Sequence, residues 1–271
     1  MRSATIALSE AGSFKLSTRW SRRNRIWVPT MMRTLSLAAS VLIGALAGLN
    51  AAPFAGAQNR CAELNGNVQA GSICHARAEA PAYVIDLRWD TDYPDDQPVT
   101  DYLLQNRDQV VNAAQRPGAQ YLPYQMAVTS ETYRSGQPTR TTPEYGKPWH
   151  GTMSLVLKNF MAVGGPAGTK YKSFTFDYDK GRSVTFDNLF VPGTNPMDSI
   201  YPAVATELAR QQLARNFQLS PTVGRDPAHY QKFAITDQTV IFFFDTSEFL
   251  PQEAGYFFVP VSRANLPPLQ L

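Results

Sequence analysis

His229 and Asp226, within Asp226-Pro227-Ala228-His229-Tyr230, come closest of all residues in this sequence to catalytic spacing. An imidazole can take a proton from a hydroxyl near neutral pH, and a carboxylate three residues away is close enough in sequence to orient it. Ser199, in the first turn of an expected helix, offers the hydroxyl. Together the three would suit acyl transfer from a short-chain ester. Each also has a structural reading. Asp226 can cap a turn, His229 can sit partly exposed, and serines recur in first helical turns because they cap backbone N–H groups.

Other chemical signatures are missing. The sequence has no G-x-S-x-G elbow, no H-E-x-x-H, no P-loop and no G-x-G-x-x-G, so no cofactor is expected. Of the two remaining histidines, His75 reads as a surface or packing residue. His150 follows Lys147-Pro148-Trp149 in a loop, where Trp149 either shields a pocket or packs. The only cysteines are Cys61 and Cys74. An even pair in an exported chain reads as a disulfide, and closing so short a loop contributes roughly 3 kcal/mol. Zinc is the alternative, because His75 adjoins Cys74, but two thiols and one imidazole fall short of a structural site. No metal is expected.

Export itself is read from residues 31–57. Arg33 precedes an apolar run from Leu35 to Leu49, and small residues follow to Ala55-Gly56-Ala57. A basic start, an apolar stretch and an A-x-A end make a signal peptide. The run is about 15 residues, short of the ~20 that a spanning helix needs, so no stable membrane span is expected after cleavage. Residues 1–30 contain Ser21-Arg22-Arg23, a loose likeness to a twin-arginine signal. They read better as an extension upstream of a true start at Met31 or Met32. Residues 58–271 are then the mature secreted domain. Residues 1–57 hold seven of the 25 basic and one of the 22 acidic side chains. The formal +3 charge therefore becomes −3 in the mature part, with 18 basic against 21 acidic groups. No nucleic-acid partner follows from that balance.

The elements that must position these residues alternate between β and α. Tyr83 to Trp89, Tyr124 to Tyr133, Met153 to Val163 and Tyr171 to Tyr178 alternate as strands. Asp179-Lys180-Gly181 turns the last of these into Ser183 to Phe186. Thr100 is the expected cap of a helix carrying Leu103, Leu104, Val110, Val111 and Ala114, which ends before Pro117-Gly118. A second helix starts with Asn195 as cap and Pro196 at its first position, carries Ile200, Val204 and Leu208, and runs to about Leu213. Phe233 to Thr236, Val240 to Phe244 and Tyr256 to Val261 complete the strands, and alternate rings of Phe242-Phe243-Phe244 should face opposite sides. Strands grouped around two helices, without regular β-α-β alternation, predict one α+β domain with a curved, largely antiparallel sheet packed against two main helices.

Cys61 to Trp89, Tyr93-Pro94-Asp95 with the helix after it, and Asp226 to Pro251 resemble the secreted immunogenic mycobacterial antigens of the MPB/MPT type. Phe190 to Gln211 is most similar to a cell-wall-associated branch of these antigens that is described as an esterase. The resemblance spans nearly all of the mature chain and reaches the extracellular domain of the anti-sigma factor RsiV, which senses lysozyme. It implies export, an α/β fold with a curved sheet, and an undefined biochemical role. The family's Gly-Gly-x-His-Pro loop is here Gly164-Gly165-Pro166-Ala167-Gly168, so a function resting on that histidine does not carry over. Extra residues lie around Pro143 to His150.

Two classes of function follow. One is a secreted, cell-wall-associated binding protein recognising a host or wall component. The other is a carboxylesterase acting on a small acyl ester through Ser199, His229 and Asp226. The leader also yields the first prediction: protein from culture filtrate begins near Gln58, and N-terminal sequencing that finds residues 1–57 retained would refute it.

Overall fold

The computed structural model describes residues 60–69, 71–119, 124–136, 150–210 and 218–271. The leader, Trp149, most of the loop from Ser135 to Lys147 and the end of the second helix lie outside these residues. The described strands are β1 (Asn67–Gln69), β2 (Ile73–Ala80), β3 (Tyr83–Asp90), β4 (Tyr124–Ser135), β5 (Thr152–Ala162), β6 (Gly168–Asp177), β7 (Arg182–Val184), β8 (Phe233–Ile235), β9 (Thr239–Phe244) and β10 (Phe257–Ser262). The two long helices are α1 (Asp96–Ala114) and α2 (Met197–Arg210). The α+β class holds. The strands, however, form two sheets: seven strands in the order β1 to β7, and a separate three-stranded sheet in which β9 is central.

The large sheet is antiparallel except at β3 and β4, which run parallel. Parallel neighbours need a crossover, and α1 supplies it. Its Val99, Leu103, Val110 and Ala113 are buried against Ile85, Leu87 and Trp89 of β3 and Met153, Leu155 and Leu157 of β5. Each fully buried aliphatic side chain there contributes roughly 1.5–3 kcal/mol. Thr100 does not cap this helix. The helix starts at Asp96, and Thr100 lies wholly buried in its second turn, donating its hydroxyl to the Asp96 carbonyl at 3.1 Å.

β2 was not legible as a strand, for a physical reason. Its inward positions are the small or modestly apolar Cys74, Ala76 and Ala78, while His75, Arg77 and Glu79 face outward. The apolar amplitude is low, yet the pairing with β3 is complete from Ile73↔Asp90 to Ala80↔Tyr83. The Cys61–Cys74 disulfide, with Cα atoms 5.7 Å apart, pins the first helical turn to β2. Gly66 is needed beside it, because a Cβ there would stand 2.8 Å from Cys74 Sγ and 2.9 Å from Cys61 Sγ.

In the second half, Asn195 sits at the start of α2 but does not cap a backbone N–H. Its side-chain amide donates to Asp198 at 2.8 Å, and the first turn closes through Ser199 N to Pro196 O. Ile200, Val204 and Leu208 join the second core with Phe233, Phe242, Phe244, Val259 and Val261 of the small sheet. Phe243 points the other way, toward Val156 and Tyr171 of the large sheet. The expected alternation of the three phenylalanines is therefore realised, and both faces of β9 are buried.

The two sheets meet through hydroxyl groups. β8 is an edge strand, and two of its N–H groups face away from β9. Phe233 N donates to Ser173 Oγ at 2.9 Å, and Ile235 N to Ser154 Oγ at 3.1 Å. Ser154, fully buried, also accepts from Thr175 Oγ1 at 2.9 Å. Replacing Ser154 with Ala leaves the Ile235 N–H buried without that acceptor, which costs about 1–3 kcal/mol. Urea unfolding of Ser154→Ala should show that loss, and an unchanged midpoint would refute it.

Candidate functional site

His229 lies in a 3-10 turn, Pro227–Tyr230, just before β8. Asp226 opens the turn and accepts the Ala228 N–H at 2.9 Å, so its carboxylate is engaged as a cap. The carboxylate that meets His229 is Glu248, whose Oε1 lies 3.2 Å from Nδ1. Glu248 is itself fixed: Oε2 accepts from Lys232 Nζ at 2.6 Å and from Asp245 N at 2.7 Å. The imidazole also packs on Phe249, with ring centres 4.7 Å apart. In the tautomer that donates Nδ1–H to Glu248, Nε2 would be the acceptor that a general base requires.

Ser199 stays in the first turn of α2, half-buried, and among the described residues its hydroxyl makes no hydrogen bond. Its neighbour Asp198 pairs with Arg225 at 2.7 Å, so the segment leading to His229 does run to this end of the helix. A hydrogen bond joining hydroxyl to base does not form between them. The orienting residue missed by sequence reasoning is Glu248, 19 positions away in the loop after β9. No local spacing signals it, since only the closure of β8 on β9 brings the two loops together.

The remaining candidates are structural. His75 lies on the outer face of the β2–β3 hairpin, 3.2 Å from Asp86, a carboxylate that also meets Arg77 and Arg88 at 3.3 Å. His150 Nδ1 lies 2.7 Å from Asp179, whose other oxygen accepts the Gly151 N–H. The hydrogen bond from His150, and then that from Gly151, hold the Asp179 carboxyl below the usual carboxylate range. The disulfide removes Cys61 and Cys74 as metal ligands beside His75. Among the described residues no cluster of His, Cys, Asp or Glu could hold a metal, and no helix is long and apolar enough to cross a membrane.

A second constellation lies where the sheets part. Glu131, Tyr133, Val156, Lys158 and Tyr171 of the large sheet face Phe243 and Phe258 of the small sheet, and Tyr256 just before β10, across a cavity of about 280 Å³. The rings touch in sequence: Tyr133 to Phe243 at 5.9 Å, Phe243 to Tyr171 at 5.0 Å, and Tyr171 to Tyr256 at 5.6 Å. Lys158 Nζ lies 4.0 Å from the Tyr256 ring centre and reaches its hydroxyl. The Tyr133 hydroxyl donates to Glu131 at 2.5 Å. Burial pushes the Tyr133 and Tyr171 phenols above their ordinary pKa, so both stay protonated donors at neutral pH. A third concavity, about 370 Å³, is lined by Asn106, Thr246 and the loop Gly165 to Gly168.

Two sheets and a helical crossover define an α+β protein, and the model of DUF3298, described as a protein of unknown function, matches its residues 187–264. Esterase Rv3036c of Mycobacterium tuberculosis is 46% identical over 242 residues, covering 89% of this chain and 99% of that protein. Immunogenic protein MPB64 of Mycobacterium bovis is 35% identical over 207 residues, 76% of this chain and 86% of that one. A DUF3298 protein from Pseudomonas aeruginosa of known structure aligns with a TM-score of 0.44 at 12% identity, over 72% of this chain and 95% of that one. The chain belongs to the mycobacterial antigen family that contains MPB64 and Rv3036c.

The ion cluster behind His229 gives a prediction. The side chains of Glu248 and Lys232 are 12% and 16% exposed, and removing the carboxylate leaves the nearly buried Lys232 ammonium with Asp245 alone, at 3.1 Å. Glu248→Ala should cost about 1.5–3 kcal/mol, the range for losing a hydrogen bond to a charged group, because Lys232 keeps Asp245 while the Asp245 N–H loses its acceptor. Equilibrium denaturation measures it, and a loss below the error of the fit would refute the role of the cluster.

Proposed function

We propose that this protein is a secreted or cell-wall-associated binding protein, and that its partner, a host or wall component, engages the cleft between the two sheets. The observation that carries this reading is the aromatic surface itself. Tyr256 and Phe258 are 40% and 53% exposed beside a cavity already lined by three further rings. Exposed rings clustered at a concavity are costly to leave in water and are typical of surfaces that bury them against a ligand. Polar groups at fixed positions among those rings supply orientation.

Carboxylic-ester hydrolysis is the second reading, favoured by the His229–Glu248 pair and by the esterase name of a relative with 46% identity. It requires a hydroxyl, Ser199 first, to come within hydrogen-bond reach of Nε2, with Asp226 remaining a cap. The test is hydrolysis of short-chain p-nitrophenyl esters by the wild type, Ser199→Ala and His229→Ala. The binding reading expects feeble and equal rates in all three. A wild-type rate that falls roughly 100-fold or more in His229→Ala, and is lost in Ser199→Ala, would replace it with the hydrolase reading.

A further inference from the structure

We propose that the cleft between the sheets takes a neutral saccharide ring, an assignment that rests on the binding reading and names its ligand class. The cleft carries one carboxylate, Glu131, which accepts from the Tyr133 hydroxyl, and one ammonium, Lys158, which donates to the Tyr256 hydroxyl. An anionic ligand would meet Glu131, and a cationic one would meet Lys158, so neither sign is favoured. A bare acyl chain fits no better. It would cover Glu131 and Lys158, each held by a single phenol hydroxyl, without offering a further hydrogen bond, and burying a charge with so little compensation is costly.

What remains is a ligand apolar on its flat faces and rich at its edge in groups that both donate and accept. A pyranose has that division, since its axial C–H groups form an apolar face and its hydroxyls form the rim. The C–H face matches the electron-rich ring faces of Tyr256 and Phe258. The rim matches a carboxylate acceptor, an ammonium donor and phenols able to do either. Tyr171 sharpens the fit. It is only 9% exposed and lines the cavity, yet its hydroxyl has no hydrogen-bond partner among the described residues. Burial keeps that phenol protonated. A cavity of about 280 Å³ is near the small end for ligand clefts and suits one ring with its neighbour projecting outward.

The experiment is saturation-transfer NMR on the purified protein with cellobiose, maltose and N,N′-diacetylchitobiose, and with octanoate as an apolar anion. At least one disaccharide should show saturable transfer at millimolar concentration. Tyr256→Ala should weaken it at least tenfold and Tyr171→Phe severalfold, with circular dichroism unchanged, since one ring is exposed and the other is retained. Absence of binding by all three sugars, binding that survives both substitutions, or binding of octanoate alone would each overturn the assignment. If ester hydrolysis is also feeble and independent of His229, only the saccharide class falls and the binding reading stands. His229-dependent hydrolysis would instead remove the reading beneath it.

Discussion

A buried strand edge must have its N–H groups satisfied, and in this protein the large sheet does so with side-chain hydroxyls. The outward N–H groups of β8 meet Ser173 and Ser154 on the face of β6 and β5. This contact sets the small sheet against the large one instead of extending it. From it follow the two cores, one under α1 and one under α2, and the cleft where the sheets diverge. An aliphatic residue at position 154 would leave the Ile235 N–H without its acceptor. Specific placement of the small sheet therefore rests on two serines that, in sequence, look like ordinary strand interruptions.

The same junction joins the histidine to the cleft. Asp245, just after β9, accepts the Tyr171 N–H at 2.7 Å and pairs with Lys232 at 3.1 Å. Lys232 and His229 converge on Glu248. Thr246 continues the seam, its N–H donating to Thr169 O and its hydroxyl accepting from Thr169 N. The upper edge of β6 is thus closed by the loop that orients His229. A change in that loop would be felt by the imidazole on one side and by Tyr171 on the other, so loss of a ligand in a Glu248 variant would not by itself place Glu248 in the cleft.

Much of the fold was legible from pattern alone. β3, β4, β5 and β6 alternate strongly enough to be seen, and the Ile200, Val204, Leu208 stripe marks α2. Where the structure departs from the local pattern, tertiary contacts outweigh a local rule. Thr100 has the residue type of a cap, but burial of Val99 and Leu103 carries the helix back to Asp96. β2 has too little apolar contrast to announce itself, and its hydrogen-bonded partner β3 and the disulfide to Cys61 hold it in place. At the candidate site, the nearest acid in sequence, Asp226, proved to be turning the chain, while the nearest acid in space is Glu248.

The sequence by itself determined the periodic elements, the cystine, the turn at Asp226 and the opposed directions of Phe242 and Phe243, because each depends on spacing along a single strand, helix or short loop. Only the tertiary structure decided that β8 to β10 form their own sheet, that Glu248 is the partner of His229, and that Tyr133, Tyr171, Tyr256 and Phe258 surround one cavity. Those residues come from strands and loops up to 125 positions apart (Tyr133 to Phe258). Their meeting is set by which edge and which face must be covered, a condition on the packed molecule that no local spacing encodes.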